Sequence, residues 1–584
     1  MFFRRKLLVG MSLALLAGAA MAPAAGAAGG TLYVDGKNGS NTNSGLSWGS
    51  ALKTIYAASS KVPREGAAAG WKVIVRGYTD YLYRERPAPG GYQRWGTASS
   101  PLVFQAEGWS PGASNYVKPR LSGALSAPRA GKSWTSLGGG VWSTPWPTKP
   151  AQFMPDKAYY AAVFQDDETP LWQRSSLKNL KSSSSTDKLG GYWWASGVLY
   201  VGTRGGLKPC AAGSTSTSCP RIEVPTNNGF YFDGAHGVAH VEVRGFEMRH
   251  YNVAIAFVGG TDHSAAYDNV IVGTSGAGIH VSGAKSNPAV GNRVERNVGR
   301  LNTIQAIKVN AGSHDTIVCN NSAFDNGLQG IKVQGPFDGG SDPRVTRDTL
   351  VCDNELHDQN FRRPNNSASY ANGLTISDGA LTTTVSGNRI WGNAIGINLA
   401  QQSSSGLAID QTLIEDNLIW SNKTAGLSLN DGVKRRSAGS GRLTSRFNLY
   451  WANGIGITVS KGSTHKVSEH DTFHANKRFA ARVGCKCSTV TAELRIEQGI
   501  VSGSGEYGVF GRSGGRATLA YVGLNGNGAA NTKGKVTIDP SGSTNAMPPD
   551  FLSLNSSNAD FLRIAQSSYQ YTAGPSSSPI GARF

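Results

Sequence analysis

The chain has 584 residues, and 57 Lys and Arg against 38 Asp and Glu give it a formal net charge of +19. Such a basic chain is predisposed to meet polyanions, namely acidic polysaccharide, envelope polymer or nucleic acid, unless the charge serves solubility alone. No nucleic-acid-binding motif accompanies the charge, and no segment of about 20 apolar residues offers a membrane span, so neither partner is expected.

Residues 1–28 read as an export signal. Arg4, Arg5 and Lys6 precede the apolar run LLVGMSLALLAGAAMA, and the small residues AAGAA follow, which places cleavage near Ala27 or Ala28. Removal takes three positive charges and no negative ones and leaves about +16. An exported, extracellular or periplasmic protein is expected, and a monomer. Its six cysteines suit an oxidising compartment. Cys210 and Cys219 bracket a short polar loop and are expected to pair. Cys319 and Cys352 hold equivalent places in two repeats and form the second expected bridge. Cys485 and Cys487 are too close for an unstrained bridge and stay open. None of the six has a zinc-ligand spacing.

Residues 29–114 are expected to form an N-terminal cap and the first coils. Residues 115–225 interrupt the pattern as an inserted β-rich segment. Within it YYAAVFQDDETPLWQ (159–173) and GGYWWASGVLYVGTRGG (190–206) read as hairpins with polar turns. The acidic triplet Asp166, Asp167 and Glu168 reads as a solvated turn.

Residues 226–520 carry a repeat. NVGRLN (297–302), NSAFDN (321–326), NRIWGN (388–393), NLIWSN (417–422) and NLYWAN (448–453) share one pattern, and NELHDQ (354–359) and DTFHAN (471–476) are imperfect copies. Strand-like runs accompany them: GIHVSG, AIKVNA, GIKVQG, GLTISD, GINLAQ, GLSLND, GITVSK. Starts of the asparagine pattern lie 23 to 34 residues apart, so the pattern persists while connecting loops swell. Within a run, alternation sends Ile307 and Val309 one way and Lys308 and Asn310 the other. Stacked in register, the apolar pairs make one continuous core and the asparagines bond from turn to turn. The expected fold is all-β, a right-handed parallel β-helix, with 521–584 as a C-terminal cap or tail. Trp391, Trp420 and Trp451 recur at one repeat position and read as a packed aromatic ladder.

The opening LYVDGKNGSNTNSGLSWGSALKTIYAA (32–58) and the close DFLSLNSSNADFLRI…SSSPIGARF (550–584), with the repeats between them, resemble secreted right-handed parallel β-helix carbohydrate-active proteins, polysaccharide lyases among them. The resemblance implies a strand, a turn and a short helix capping the solenoid. It implies action on a carbohydrate, but the group spans lyases, glycoside hydrolases and epimerases, and fold does not choose among them. Lyases of this kind commonly use Lys or Arg, some with Ca²⁺.

The outward column of the repeat runs Ala256, His280, Lys308, Lys332, Thr375, Asn398, Ser428, Thr458. His280, Lys308 and Lys332 would stand about one strand spacing, 4.8 Å, apart. Two ammonium groups about 5 Å apart repel by roughly 3 kcal/mol at an effective dielectric of about 20, which depresses one pKa toward the range of a general base. β-Elimination on a uronate needs its carboxylate neutralised, the adjacent proton removed and the leaving oxygen protonated. Lys308 or Lys332 is the expected base, the other the neutraliser, and His280 the helper or acid. Asn310 and Gln334, in the next column, are candidate substrate contacts. Gly278, Ala306, Gly330, Gly373, Gly396, Gly426 and Gly456 are expected to form a smooth floor beside them. Long loops would add basic walls through Arg344, Arg347, Arg362, Arg363, Lys434, Arg435 and Arg436. Asp338 and Asp342 are candidate Ca²⁺ ligands in a Gly-rich turn. The rival readings are a hydrolase with a carboxylate pair drawn from Asp338, Asp342, Asp378, Asp431, Glu355 and Asp358, an epimerase sharing the basic row, or a polysaccharide-binding protein without catalysis.

Overall fold

The computed structural model describes residues 29–582 except 65, 89–93, 151–161, 167–168, 185–189, 213, 215, 285, 337–344, 360–370, 401–408, 431–442, 461–462, 486–491, 540–547, 556–557 and 559. Among the described residues three long sheets of 15, 13 and 12 strands enclose one core, and every pairing between successive coils is parallel. One coil takes Arg293–Glu295 in the 15-stranded sheet, Val298–Arg300 in the 13-stranded sheet and Gln305–Asn310 in the 12-stranded sheet, before Ile317–Cys319 begins the next. This is a parallel β-helix.

The alternation predicted from the sequence decides what faces in. The pairs from Ile279/Val281 to Ile457/Val459 are all 2% exposed or less and join a single core cluster. Each asparagine motif spans a strand of the 13-stranded sheet and ends in a corner on both sides, so the asparagines form two ladders rather than one. The first runs Asn269, Asn297, Asn321, Asn354, Asn388, Asn417, Asn448, and Asp471. The second includes Asn302, Asn326, Gln359, Asn393, Asn422 and Asn453. The residue before a ladder position is left-handed time after time, as at Arg296, Asp353, Asp416 and Ser421, with φ between 53° and 56°. A non-glycine residue there costs on the order of 1 kcal/mol, which the buried amide bonds of the next residue offset. The imperfect motif copies thus supply Gln359 and Asp471 as working members of the ladders.

The solenoid begins upstream of the repeat. Thr31–Val34, Lys72–Val75 and Leu102–Ala106 open the 15-stranded sheet. The helix Ile55–Lys61 packs Ile55 and Ala58 into the core. Its N-terminus is capped by Thr54 Oγ1, and its first amides donate to Glu85, whose burial pushes its carboxyl up to about 7. Between Ala124 and Pro225 the chain leaves the solenoid for an eight-stranded sheet among the described residues, with its own core around Trp146, Leu171 and Tyr192. Both expected hairpins are present there, Val163–Gln165 with Thr169–Gln173 and Gly191–Ala195 with Val198–Gly202. Asp166 sits in the first turn and accepts from the Arg221 amide, while Asp167 and Glu168 lie outside the described residues. The segment is fastened to the solenoid by buried Glu223, which binds Arg84 and His250.

Cys210–Cys219 and Cys319–Cys352 are both closed, the second between strands in register in consecutive coils. Cys485 is also disulfide-bonded, and Cys487 lies outside the described residues. Downstream of residue 547 the tail returns across the 13-stranded sheet, setting Phe561 edge-on against Trp451 and Ile580 against Ile500. No helix among the described residues is long and apolar enough to cross a membrane.

Candidate functional site

The outward column of the 12-stranded sheet is continuous in register: Tyr231, Ala256, His280, Lys308, Lys332, Thr375, Asn398, Ser428, Thr458, Arg482, Phe510, Lys533. His280, Lys308 and Lys332 therefore stand side by side on three consecutive strands. Beside them Ser282, Asn310, Gln334 and Ser377 form the second polar column.

The face is sunken rather than flat. Lys332 is 8% exposed, Gln334 3% and Thr375 0%, whereas His280, Lys308 and Asn310 are half-buried. Burial drives the basic groups toward their neutral forms. The Lys308 ammonium falls to about 8 through burial. Lys332 falls to about 7 through burial and then through the charge on Lys308, against which Asp378 pulls it back up. His280 falls to about 3 through burial and the Lys308 charge, in spite of its hydrogen bond to Asn310. Its ring is consequently neutral, and its Nε2–H donates to Asn310 Oδ1 at 2.7 Å.

Asp378 joins the site through structure that local sequence does not announce. It follows the strand Asn372–Ser377 with φ of 53°, is fully buried, and accepts from Gln334 Nε2 at 2.9 Å. Gln334 is thus both neighbour to Asn310 and anchor for the carboxylate that steadies Lys332.

The small-residue floor is corrected by the backbone. The ladder pairs Gln305 with Gln329 and then Ile307 with Ile331, leaving Ala306 and Gly330 out of it. Ala306 belongs to the core, and a Cβ on Gly373 would meet Ile390 Cγ2 at 2.5 Å and Asn393 Nδ2 at 3.0 Å. The small residues turn inward because the chain bends there against the 13-stranded sheet. The column flanking the lysines is instead Gln305, Gln329 and Asn372, tied by Gln305 Nε2 to Gln329 Oε1 at 2.7 Å. Gln305 Oε1, Asn372 Oδ1 and Ser377 Oγ are buried there without a hydrogen-bond partner among the described residues. Orphaned polar atoms are uncommon in folded interiors, and three around one pair of lysines single this face out as the candidate site.

Arg362, Arg363 and Arg435, the expected basic walls, lie outside the described residues, as do Arg344, Lys434 and Arg436. Arg347 is described beside the two-stranded sheet of Ala289–Val290 and Ser313–His314, where it bridges His314, its amide donates to Ser313 O and its guanidinium sits 3.8 Å from Asp348. Asp338, Asp342 and Asp431 are likewise outside the described residues, and no three His, Cys, Asp or Glu side chains converge among those that are described. Glu355 and Asp358 belong to the 13-stranded sheet or its corner, exposed beside Arg389 and His357, and not to the lysine face. The tryptophans stack as a ladder on that sheet, Trp391 on Trp420 at 4.6 Å and Trp420 on Trp451 at 6.2 Å, with His357 and Phe324 continuing it.

Comparison with known proteins bears on the fold. Residues 228–411 match a family model described as a right handed beta helix region. No curated protein matches the sequence. Among solved structures, XylC in complex with xylose is similar over 89% of this chain and 86% of its own, with a TM-score of 0.51 at 13% identity. The periplasmic alginate epimerase AlgG is similar over 54% of this chain and 73% of its own, with a TM-score of 0.37 at 12% identity. The GH136 lacto-N-biosidase from Eubacterium ramulus covers 87% and 67%, with a TM-score of 0.40 at 11% identity. The parallel coils, the buried ladders, the family-model match and the similarity to XylC together make the protein a right-handed parallel β-helix.

Proposed function

We propose that the lysine face carries out β-elimination on a uronate-containing polysaccharide outside the cytoplasm. The observation that carries this reading is the in-register placement of Lys308 and Lys332 on adjacent strands, sunk among polar groups beside one buried carboxylate.

The two lysines divide the work. Lys332, with the lower pKa, holds a neutral amine near pH 7 and takes the proton on the carbon beside the carboxylate. Lys308 keeps its charge to a higher pH and neutralises that carboxylate, stabilising the negative charge that develops as the proton leaves. The electron pair then forms the carbon–carbon double bond, the glycosidic C–O bond breaks, and the proton gained by Lys332 is available on the same face for the departing oxygen. His280 does not fit the part of acid, because its ring is neutral and its one N–H is committed to Asn310. It is a positioning residue that presents Asn310. The disulfides accord with action in an oxidising compartment.

The test offers the protein alginate, polygalacturonate, hyaluronate and neutral xylan and follows the ultraviolet absorbance of unsaturated uronate. Absorbance that rises on an acidic polymer, and is lost in Lys332→Met and Lys308→Met, is the expected result. Reducing ends without absorbance would overturn elimination in favour of hydrolysis. Exchange of the carbon-bound proton with solvent deuterium, without cleavage, would make the face an epimerase.

A further inference from the structure

The seven coils of the outward column beyond Lys332 take no part in the proposed reaction. Below Lys332 the column continues through Thr375, Asn398, Ser428 and Thr458, none more than 8% exposed, and then turns basic again at Arg482. Arg482 is half-buried, and Arg478 and Arg512 face it. Its Nη2 donates to Thr458 Oγ1 at 3.1 Å, while its Nε is buried with no hydrogen-bond partner among the described residues. Two strands further along, Lys533 occupies the same column.

The charges do not balance. Arg478 is paired with Glu506 at 2.7 Å. No ion pair is recorded among the described residues for Arg482, Arg512 or Lys533. Arg512 lies over the Phe510 ring at 5.8 Å, and Lys533 lies over the Tyr507 ring at 4.5 Å and donates to its hydroxyl at 2.7 Å. Like charges gathered round a partly desolvated guanidinium destabilise the free protein, and an anion that bridges them removes that cost. A guanidinium presents paired N–H donors suited to two-point binding of a carboxylate, and Arg512 stands beside Arg482 with no ion pair among the described residues. The half-buried rings of Tyr507 and Phe510, packed on buried Phe479, add an apolar flank of the kind that packs against the C–H face of a pyranose.

We infer that Arg482, with Arg512 and Lys533, forms a distal subsite that binds a carboxylate of the same polymer, five strand spacings or about 24 Å along the helix axis from Lys332. This rests on reading the face as a uronate site. The substrate then lies parallel to the axis over the sunken polar column, and the protein grips a long chain better than a short one. The polymer recognised is one with charge at regular intervals, not a single terminal sugar.

Affinity electrophoresis in gels containing alginate, polygalacturonate or hyaluronate tests the subsite apart from the chemistry. The wild type is compared with Arg482→Gln/Arg512→Gln, with Lys332→Met, and with Arg516→Gln/Lys72→Gln, which removes the same charge from the 15-stranded sheet. Thermal melting verifies that each variant is folded. The double arginine variant is expected to lose retention about tenfold and to show a shallower salt dependence, while the control pair migrates like wild type. On the polymer that is turned over, its KM rises with kcat kept, and the loss disappears on trisaccharides. Retention equal to wild type, a loss matched by the control pair, or a wild type that no acidic polymer retains would each overturn the subsite. Should elimination itself fail while the arginine variant still loses retention, the subsite stands and the reaction does not.

Discussion

At the scale of single residues, the sequence shows where the lysines stand but not how they are poised. Period-two alternation puts Lys308 and Lys332 on the outer face, and the register confirms their adjacency. What alternation cannot show is burial from above or a carboxylate arriving from the next corner, so Asp378 entered the sequence reading only as one hydrolase candidate among several. The consequence for Lys332 is measurable in two ways. Its pKa falls from an ordinary 10.5 to about 7, so the unfolded chain binds more protons than the folded one between those values. Wild-type stability should therefore rise as pH climbs through that window. Lys332→Met should melt higher than wild type at pH 6, by a few degrees, with the gap closing by pH 10; a gap independent of pH would refute the depressed pKa. The pH profile of kcat/KM should rise through about 7 as Lys332 loses its proton and fall beyond about 8 as Lys308 loses its charge, the two limbs belonging to the coupled pair.

At the scale of elements, corners carry as much information as strands. The asparagine motif was legible because its two ends do the same job, each following a left-handed residue and each bonding to the coil above. Asn417 is 1% exposed, donates to Val385 O, Glu415 O and Asn448 Oδ1, and accepts from the Asn388 amide and side chain. Asn417→Ala leaves several of these groups buried and unpaired and should cost about 3 kcal/mol, read from chemical denaturation. Asp471 closes the same ladder with a carboxyl that burial pushes up to about 6, although Ser445, Ser468 and Asn448 bond to it. Its folded pKa exceeds the unfolded 3.8, so this group's contribution to stability falls as pH rises through about 4 to 6. Asp471→Asn should accordingly raise the melting temperature at pH 7 and change it little at pH 4. The glycines were misread for a geometric reason: a bend between residues 305 and 307 breaks strict alternation, which no count of apolar residues reveals. A methyl at Gly396 would lie 2.6 Å from Gly426 O and 2.8 Å from Ile419 Cγ2, so Gly396→Ala should destabilise by about 1–3 kcal/mol, while an open floor would have tolerated it.

At the scale of the whole molecule, the solenoid was readable because each coil repeats the same physical problem, whereas of the eight-stranded sheet only the two hairpins were, and not the order of its strands. Its strand order pairs Trp172 with Gly191 in parallel and Ile222 with Gln165 in antiparallel fashion, contacts no local pattern encodes. The basic column was followed only to Thr458, because Ala481 and Val483 around Arg482 make a weaker apolar signature than the Ile and Leu pairs before them. The bridge between Cys319 and Cys352 has a mechanical meaning. It rivets the coil that bears Lys332 to the coil that leads into Asp378, on the sheet opposite neither but continuous with both. A stack of coils pulled by its ends peels one turn at a time, and this rivet withholds one turn from the peeling. Stretched in a force experiment, the oxidised protein should come out shorter than the reduced one by about 115 Å of contour, the 33 residues the bridge encloses, and the turn that stays shut is the one holding Lys332.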